Sequence, residues 1–276
     1  MNYSTQQIRI AILDLYEGYE NQGMRCLREI INQWGEINEL DVECDEFDVR
    51  GKNNVPDLSY DIFISSGGPG SPIDTVGTEW ENQYFNWLQS VEEYNNNIFN
   101  SNKKRVFFIC HSFQLACRHY NIGNVCKRIS TSFGVFPIHT IGNAANEPVF
   151  EGLNNPFYVV DSRDWQVIEP NYDVIKLMGA EVLAIEKNRP HVPYERAIMA
   201  VRFNDYFIGT QFHPEADAIG MRMYLLKDEK KETVIKNHSE EKWQSMVDQL
   251  QDPEKILYTH SQILPNFLNQ AIEELA

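Results

Sequence analysis

Short apolar runs alternate with amphipathic stretches along the first part of the chain. Ile8 to Leu13 is an apolar run of strand length. After a polar loop, Met24, Leu27, Ile30, Ile31 and Trp34 recur at three- and four-residue spacings, which predicts a helix over about Asn21 to Trp34 with one buried face. Val42 to Val49 alternates acidic and apolar residues like an edge or half-buried strand, and Tyr60 to Ser65 is a compact apolar run that stops in glycines. Trp80, Tyr84, Trp87, Leu88 and Val91 predict a second amphipathic helix within Glu79 to Tyr94, and Arg105 to Ile109 reads as the next buried strand. Strands that alternate with helices imply a parallel sheet covered on both faces.

Beyond Gly134 the pattern changes to shorter β-like runs: Val135 to Ile141, Phe157 to Val160, Val182 to Ile185 and Ala197 to Phe203. One more apolar run follows, Tyr206 to Phe212. These predict a small antiparallel extension of an α/β sheet. Lys227 to Lys255 is highly charged, with a helical pattern around Glu240 to Leu250 and a break at Asp252-Pro253. A solvated helical appendage is the plain reading of such a stretch; because it follows the last strand so closely, a lid or docking surface near that strand is the alternative. Ile263 to Leu275 predicts a terminal amphipathic helix that returns to the core. The expected organisation is one domain over residues 1–276 with a charged helical insertion at about 225–258.

Composition narrows the function classes. A chain of 276 residues can build one large core, and 42% hydrophobic with 23% charged residues is the balance of a folded globular protein. The formal charge of −16, from 24 basic and 40 acidic residues, repels phosphate backbones and anionic membranes, so neither nucleic acid nor a membrane is an expected partner. The chain has no apolar run of membrane-spanning length, and Met1 to Gln7 is polar, which predicts a cytoplasmic protein. Five cysteines, Cys26, Cys44, Cys110, Cys117 and Cys126, are an odd number without zinc-like pairing. Neither a disulfide framework nor a metal site is expected, and no cofactor is called for.

Chemistry could sit in three places. Cys110 follows the Arg105 to Ile109 strand and opens the segment Cys110-His111-Ser112-Phe113-Gln114 at a strand-to-helix junction. A thiol on such a sharp turn is lifted above the sheet edge, and a helix N-terminus behind it favours the thiolate. A small buried hydrophobe is the alternative for Cys110, as it is for Cys117 and Cys126. Ser65-Ser66-Gly67-Gly68-Pro69-Gly70-Ser71-Pro72 follows the second buried strand. Its glycines let backbone N–H groups face an oxyanion, or simply make a turn, and it lacks the Gly-Lys-Ser/Thr ending of a phosphate loop. Gly209-Thr210-Gln211-Phe212-His213-Pro214-Glu215 ends the last strand; in extended chain Glu215 falls on the face of His213, as an orienting carboxylate beside a base. A thiol, an oriented base and backbone donors at strand ends are the parts of acyl transfer through a thioester.

In order, spacing and residues, these segments resemble the class I (triad) glutamine amidotransferase family. Ser66 to Pro72 is similar to its oxyanion loop, Cys110 to Gln114 to its nucleophile elbow and Gly209 to Glu215 to its final motif. Weaker echoes at Phe133-Gly134-Val135 and Gly179 to Ala184 extend the resemblance over about residues 8 to 216. It implies a flavodoxin-like open, mostly parallel sheet with helices on both faces. Cys110 would attack the γ-carboxamide of glutamine or a γ-glutamyl compound, His213 would carry protons and Glu215 would orient it. Gly68 and His111 would supply oxyanion N–H groups, while Gly70 and Gln114 would seat the substrate. The released ammonia would go to a separate synthetase subunit, or the chain would act as a simple hydrolase.

Three positions depart from that pattern: Ser112 stands where the elbow usually has glycine, Phe108 where a small residue is common, and Ser162-Arg163-Asp164-Trp165-Gln166-Val167 where many members read Ser-His-x-Asp-x-Val. Homoserine O-acyltransferases of related fold, with a non-glycine elbow and a Ser-Arg pair, are one alternative; the full glycine loop favours the amidotransferases. A non-catalytic glutamine-binding or regulatory module is the other, against which the Cys110, His213 and Glu215 set argues.

Overall fold

A computed structural model of the chain describes residues 7–19, 21–190, 192–237, 239–250 and 252–273. The polar opening before Gln7 and the end of the predicted terminal helix at Leu275 lie outside the described residues. The chain enters the sheet at β1 (Ile8–Asp14), crosses through α1 (Gln22–Ile37) to β2 (Val42–Asp48) and, after the single turn α2 (Val49–Lys52), returns at β3 (Ile62–Ser65). Helix α3 (Glu79–Asn96) leads to β4 (Arg105–Ile109), and α4 (His111–His119) leads to two long strands, β5 (Asn124–Thr140) and β6 (Phe157–Ile168). Then come α5 (Tyr172–Met178), β7 (Glu181–Glu186), β8 (Ile198–Arg202) and β9 (Phe207–Thr210). The described chain closes with α6 (Ala218–Leu225), α7 (Asp228–Asn237), α8 (Glu240–Gln249) and α9 (Pro253–Glu273).

The sheet runs in the order β2-β1-β3-β4-β9-β8-β7-β5-β6. Its first five strands are parallel and follow the flavodoxin-like doubly wound order, and the rest pair antiparallel. The open sheet with an antiparallel extension expected from the sequence is the one observed. β1, β3 and β4 are apolar on successive positions because both faces of the sheet are covered there. Ile8, Ile10 and Ile12 of β1 enter one core with Met24, Leu27 and Trp34 of α1 and Ile263, Leu264 and Phe267 of α9. Ala11 and Leu13 enter the opposite core with Trp80, Tyr84 and Trp87 of α3 and Phe113 and Leu115 of α4. Asn21 starts α1 as an N-cap, accepting from the Met24 N–H at 2.8 Å.

The structure departs from the sequence pattern where polar residues carry backbone pairing. β5 and β6 run well past Val135 to Ile141 and Phe157 to Val160, through Lys127 to Ser132 and Ser162 to Gln166, with a register shift between Lys127 and Ser132. An antiparallel ladder closes main-chain hydrogen bonds whatever the side chains, so mixed polarity hides it from a period-two reading. Helices α5 and α6 escape the pattern because they are short and bury few side chains, Ile175 in α5 and Met221 and Leu225 in α6. The terminal helix starts earlier than Ile263, at Pro253, the one helical position where proline loses nothing. The charged segment is not polar all round: Val234, Met246, Val247 and Leu250 pack with Val135 and Val160 of the β5–β6 ribbon. Among the described residues no helix is long and apolar enough to cross a membrane.

Phe267 of α9 is fully buried, edge-on to Phe107 of β4 with ring centroids 5.1 Å apart. Phe267→Ala is expected to lower unfolding stability by about 3–5 kcal/mol, the cost of an aromatic cavity, read as a fall in the urea midpoint at unchanged slope. A loss below about 1 kcal/mol would show that α9 does not close this core.

Candidate active site

Strands β3, β4 and β9 are neighbours, with Ser65 paired to Phe108 and Ile109 to Thr210. The segments that leave them therefore emerge at one sheet edge, where open α/β sheets place their ligands. Cys110 follows β4 directly and caps α4 with φ +48° and ψ −94°. A non-glycine residue at positive φ costs free energy and persists only where its surroundings fix it. Here the Cys110 N–H donates to the Thr210 carbonyl at 2.8 Å, and the Cys110 carbonyl accepts from the Gln114 N–H at 3.0 Å.

Ser112, where the sequence departs from glycine, adds a third tie. Its hydroxyl donates to the Ser65 carbonyl at 2.7 Å and accepts from the Ile109 N–H at 2.8 Å, so it bolts the elbow to β3. Phe108 points to the opposite side of the sheet from Cys110, where its ring meets the edges of Phe203 and Phe207. Its bulk fills a core, which is why a large residue is tolerated there.

His213 leaves β9 as an isolated antiparallel bridge to Val160 of β6, its N–H donating to the Val160 carbonyl at 2.9 Å. Its Nδ1 lies 2.8 Å from Glu215 Oε1, and Glu215 is only 2% exposed. Burial disfavours the imidazolium, but the negative charges of Glu215 and of a Cys110 thiolate outweigh it and hold His213 well above its ordinary value. The imidazole and the thiol meet at Gly67: a Cβ there would stand 2.9 Å from His213 Cε1 and 3.6 Å from Cys110 Cβ. Cys110 Sγ lies 3.8 Å from both the Ser162 carbonyl and Gln211 Nε2. Burial raises the thiols of Cys26 and Cys44 to about 12 and pushes Cys117 well above its usual value, which keeps all three protonated.

The glycine loop presses against the loop after β1. A Cβ on Gly68 would fall 2.4 Å from the Leu15 carbonyl, so only glycine fits. Ser66 Oγ accepts from the Leu15 N–H at 3.0 Å, and Arg50, from α2, donates to the Pro69 carbonyl at 2.6 Å and the Leu15 carbonyl at 3.2 Å. Arg118 of α4, paired with Glu81 of α3, holds the Pro72 carbonyl. Gly67 and the start of α4 at His111 thus border Cys110. Gly70, at φ +90°, sits exposed on the outer part of the loop beside Arg50, and Gln114 is turned under the site, its amide 3.2 Å from Gln211 Oε1 and 3.4 Å from the Trp165 carbonyl. Arg50 and Arg118 belong to no motif; their partners lie 19 and 46 residues away in the chain, which leaves no local signal to find them by.

Arg163, in the third departing segment, on the β6 wall, is buried to 1% side-chain exposure. Its guanidinium donates to Asp161 at 2.9 Å, to Glu186 Oε2 at 3.1 Å and to the Trp165 carbonyl at 3.3 Å. Arg128 shares Glu186 at 3.2 Å, and burial together with the neighbouring Arg163 charge lowers Arg128 to about 10. Burial works against the Glu186 carboxylate, yet Arg163 and Arg128 hold it below its usual range. This cluster stiffens the wall that offers the Ser162 carbonyl to Cys110.

A family model described as glutamine amidotransferase class-I matches residues 11–233. Among solved structures, a glutamine amidotransferase from Thermotoga maritima is similar with a TM-score of 0.64 at 14% identity, covering 96% of this chain and 98% of that chain. The glutaminase domain of Trypanosoma brucei CTPS with bound acivicin gives 0.58 at 13% identity, over 96% and 94%. A glutamine amidotransferase from Methylobacillus flagellatus gives 0.57 at 13% identity, over 98% and 96%. At these identities the likeness is one of fold. No curated protein sequence matches the chain.

The His111 imidazole is buried, and burial together with the Arg50 charge lowers it to about 3. A depressed folded value means that stability present above the free-histidine value of about 6.5 is lost as pH falls toward 3, because only the unfolded chain takes up the proton. His111→Asn is expected to flatten the fall of unfolding free energy between pH 6 and pH 4 by up to about 1.4 kcal/mol per pH unit. Equal slopes in urea titrations of both proteins would refute a neutral His111.

Proposed function

The chain belongs to the glutamine amidotransferase class-I family, and from that premise we propose that it hydrolyses the γ-amide of glutamine, or of a γ-glutamyl compound, through a thioester on Cys110. The observation that carries this reading is convergence: a thiol on a strained turn, an imidazole held by a buried carboxylate, and a glycine backbone meet around Gly67. His213 accepts the Cys110 proton, and the thiolate adds to the γ-carbonyl carbon. The Gly68 and His111 backbone N–H groups receive the oxyanion, the second of them aided by its place at the start of α4. As the tetrahedral intermediate collapses, the C–N bond breaks and the His213 imidazolium gives its proton to the departing ammonia. Water then loses a proton to His213 and attacks the thioester carbonyl; the C–S bond breaks, the proton returns to Cys110 and a carboxylic acid leaves.

Glu215 orients His213 throughout and stabilises its charged form. Gly70 and Gln114 seat the substrate in this reading, Gln114 by fixing the Gln211 amide beside the sulfur. The acyltransferase alternative drew on Arg163, whose guanidinium donates to Asp161, Glu186 and Trp165. That favours a structural role for the departure and leaves amide hydrolysis the better reading. The described chain would act as one catalytic unit with α7 and α8 as its appendage, passing ammonia to a separate synthetase subunit. The Trypanosoma brucei neighbour is described as the glutaminase domain of CTPS, which supports amide hydrolysis joined to a synthase reaction.

Glutamate release from glutamine by purified protein should fall on the order of 10³-fold or more in Cys110→Ala. Equal release by both proteins would remove the mechanism, and turnover seen only with an acyl-CoA and homoserine would establish the acyltransferase reading in its place.

A further inference from the structure

The chain from His213 to Asp217 makes a turn that carries both the imidazole and its carboxylate. Pro214, inside it, has no N–H to donate, and the hydrogen bond that closes it, from the Ala216 N–H to the His213 carbonyl, is 3.3 Å long. Its ends are tied to other elements. The His213 N–H donates to the Val160 carbonyl of β6 at 2.9 Å. Asp217 takes Arg25 of α1 on both oxygens at 2.9 Å and caps α6 through the Gly220 N–H at 2.6 Å. Between those ends the Glu215 carbonyl meets His260 of α9, whose Nδ1 lies 2.9 Å away. A carbonyl oxygen only accepts, so Nδ1 carries the proton and His260 donates. Thr259, the preceding residue, is buried and donates its hydroxyl to the Tyr158 carbonyl, two residues before Val160. Two successive side chains of α9 therefore hold both sides of the bridge that bears the histidine, Thr259 on β6 and His260 on the turn. Ile263, Leu264 and Phe267 bury the next turns of the same helix in the core, which makes α9 a firm support.

We propose that His260 is a positioning residue of this site: by holding the Glu215 carbonyl it fixes the backbone from which the Glu215 side chain reaches His213, and so keeps the imidazole where it can take the Cys110 proton. The inference rests on the Cys110, His213 and Glu215 reading. The 2.8 Å contact between Glu215 Oε1 and His213 Nδ1 spans one intervening residue, so a rotation of the Glu215 backbone displaces the carboxylate directly. A misplacement of about 1 Å can cost on the order of 10²-fold in rate. Loss of one brace, with the Val160 and Arg25 ties still in place, should cost less. His260 lies 45 residues beyond Glu215, past α7 and α8, which is why no motif includes it.

The test compares His260→Leu with His260→Asn, whose side-chain amide can place an N–H where the imidazole Nδ1 stands. Glutamate release is measured beside the rate of Cys110 alkylation by iodoacetamide at one neutral pH, with Cys110→Ser giving the background from the other thiols. In His260→Leu, kcat should fall about tenfold with KM within about twofold, and alkylation should slow several-fold. His260→Asn should recover most of both. Ser261→Ala, at an exposed position where the hydroxyl bonds within its own helix, should leave both at wild-type values. A folded His260→Leu protein in which either quantity is unmoved overturns the proposal, as does a His260→Asn protein as slow as His260→Leu. If His260→Leu does not fold, thienylalanine placed at position 260 keeps a five-membered ring without an N–H, and the same two losses are required of it. Wild-type protein that alkylates at Cys110 yet releases no glutamate would sink the glutaminase reading alone, since alkylation of the variants still decides the role of His260. A wild-type Cys110 that resists alkylation would overturn both.

Discussion

The backbone of Cys110 turns through a left-handed conformation that costs a non-glycine residue on the order of 1–3 kcal/mol, and much of the surrounding structure can be understood as holding it there. β9 must lie beside β4 so that the Thr210 carbonyl can receive the Cys110 N–H, and β3 must lie on the other side so that the Ser65 carbonyl can receive the Ser112 hydroxyl. The same strand order delivers His213 and the glycine loop to the flanks of the sulfur. Strain and convergence thus share one cause, the placement of β4 between β3 and β9. The apolar cores on both faces supply the free energy that maintains it.

Rigidity around the turn comes from polar groups that are matched in the interior. Arg50, Ser66 and Arg118 fasten the glycine loop to α2, the loop after β1 and α4. Arg163, Arg128, Asp161 and Glu186 do the same for the β6 wall. Desolvating such charges is expensive, and an ion cluster of this kind contributes geometry more surely than stability. Its value here is that the Ser162 carbonyl and the Gln114–Gln211 pair stand at fixed positions beside the thiol.

The appendage is tied to the site by more than sequence proximity. α7 and α8 cover the β5–β6 ribbon with an apolar inner face, and His260 of α9 approaches the Glu215 carbonyl at 2.9 Å. The charged run Lys227 to Lys255 is therefore the outer surface of helices whose inner residues share a cluster with Val160, the residue that pairs with His213.

The sequence alone determined what local chemistry controls. Apolar runs of strand length, helical faces such as Met24 to Trp34 and the order of glycine loop, Cys110 and His213 to Glu215 are properties of neighbouring residues, so the open α/β sheet and the candidate thiol, base and carboxylate were legible without coordinates. Tertiary structure decided everything that depends on contacts across tens of residues. It lengthened β5 and β6, where main-chain pairing overrides a mixed polar pattern. It made Ser112 a brace and Arg163 part of a buried network, where the sequence showed only departures from a pattern. It also placed Arg50 and Tyr16 beside the glycine loop, because the fold rather than the spacing brings their segments to the Cys110 edge of the sheet.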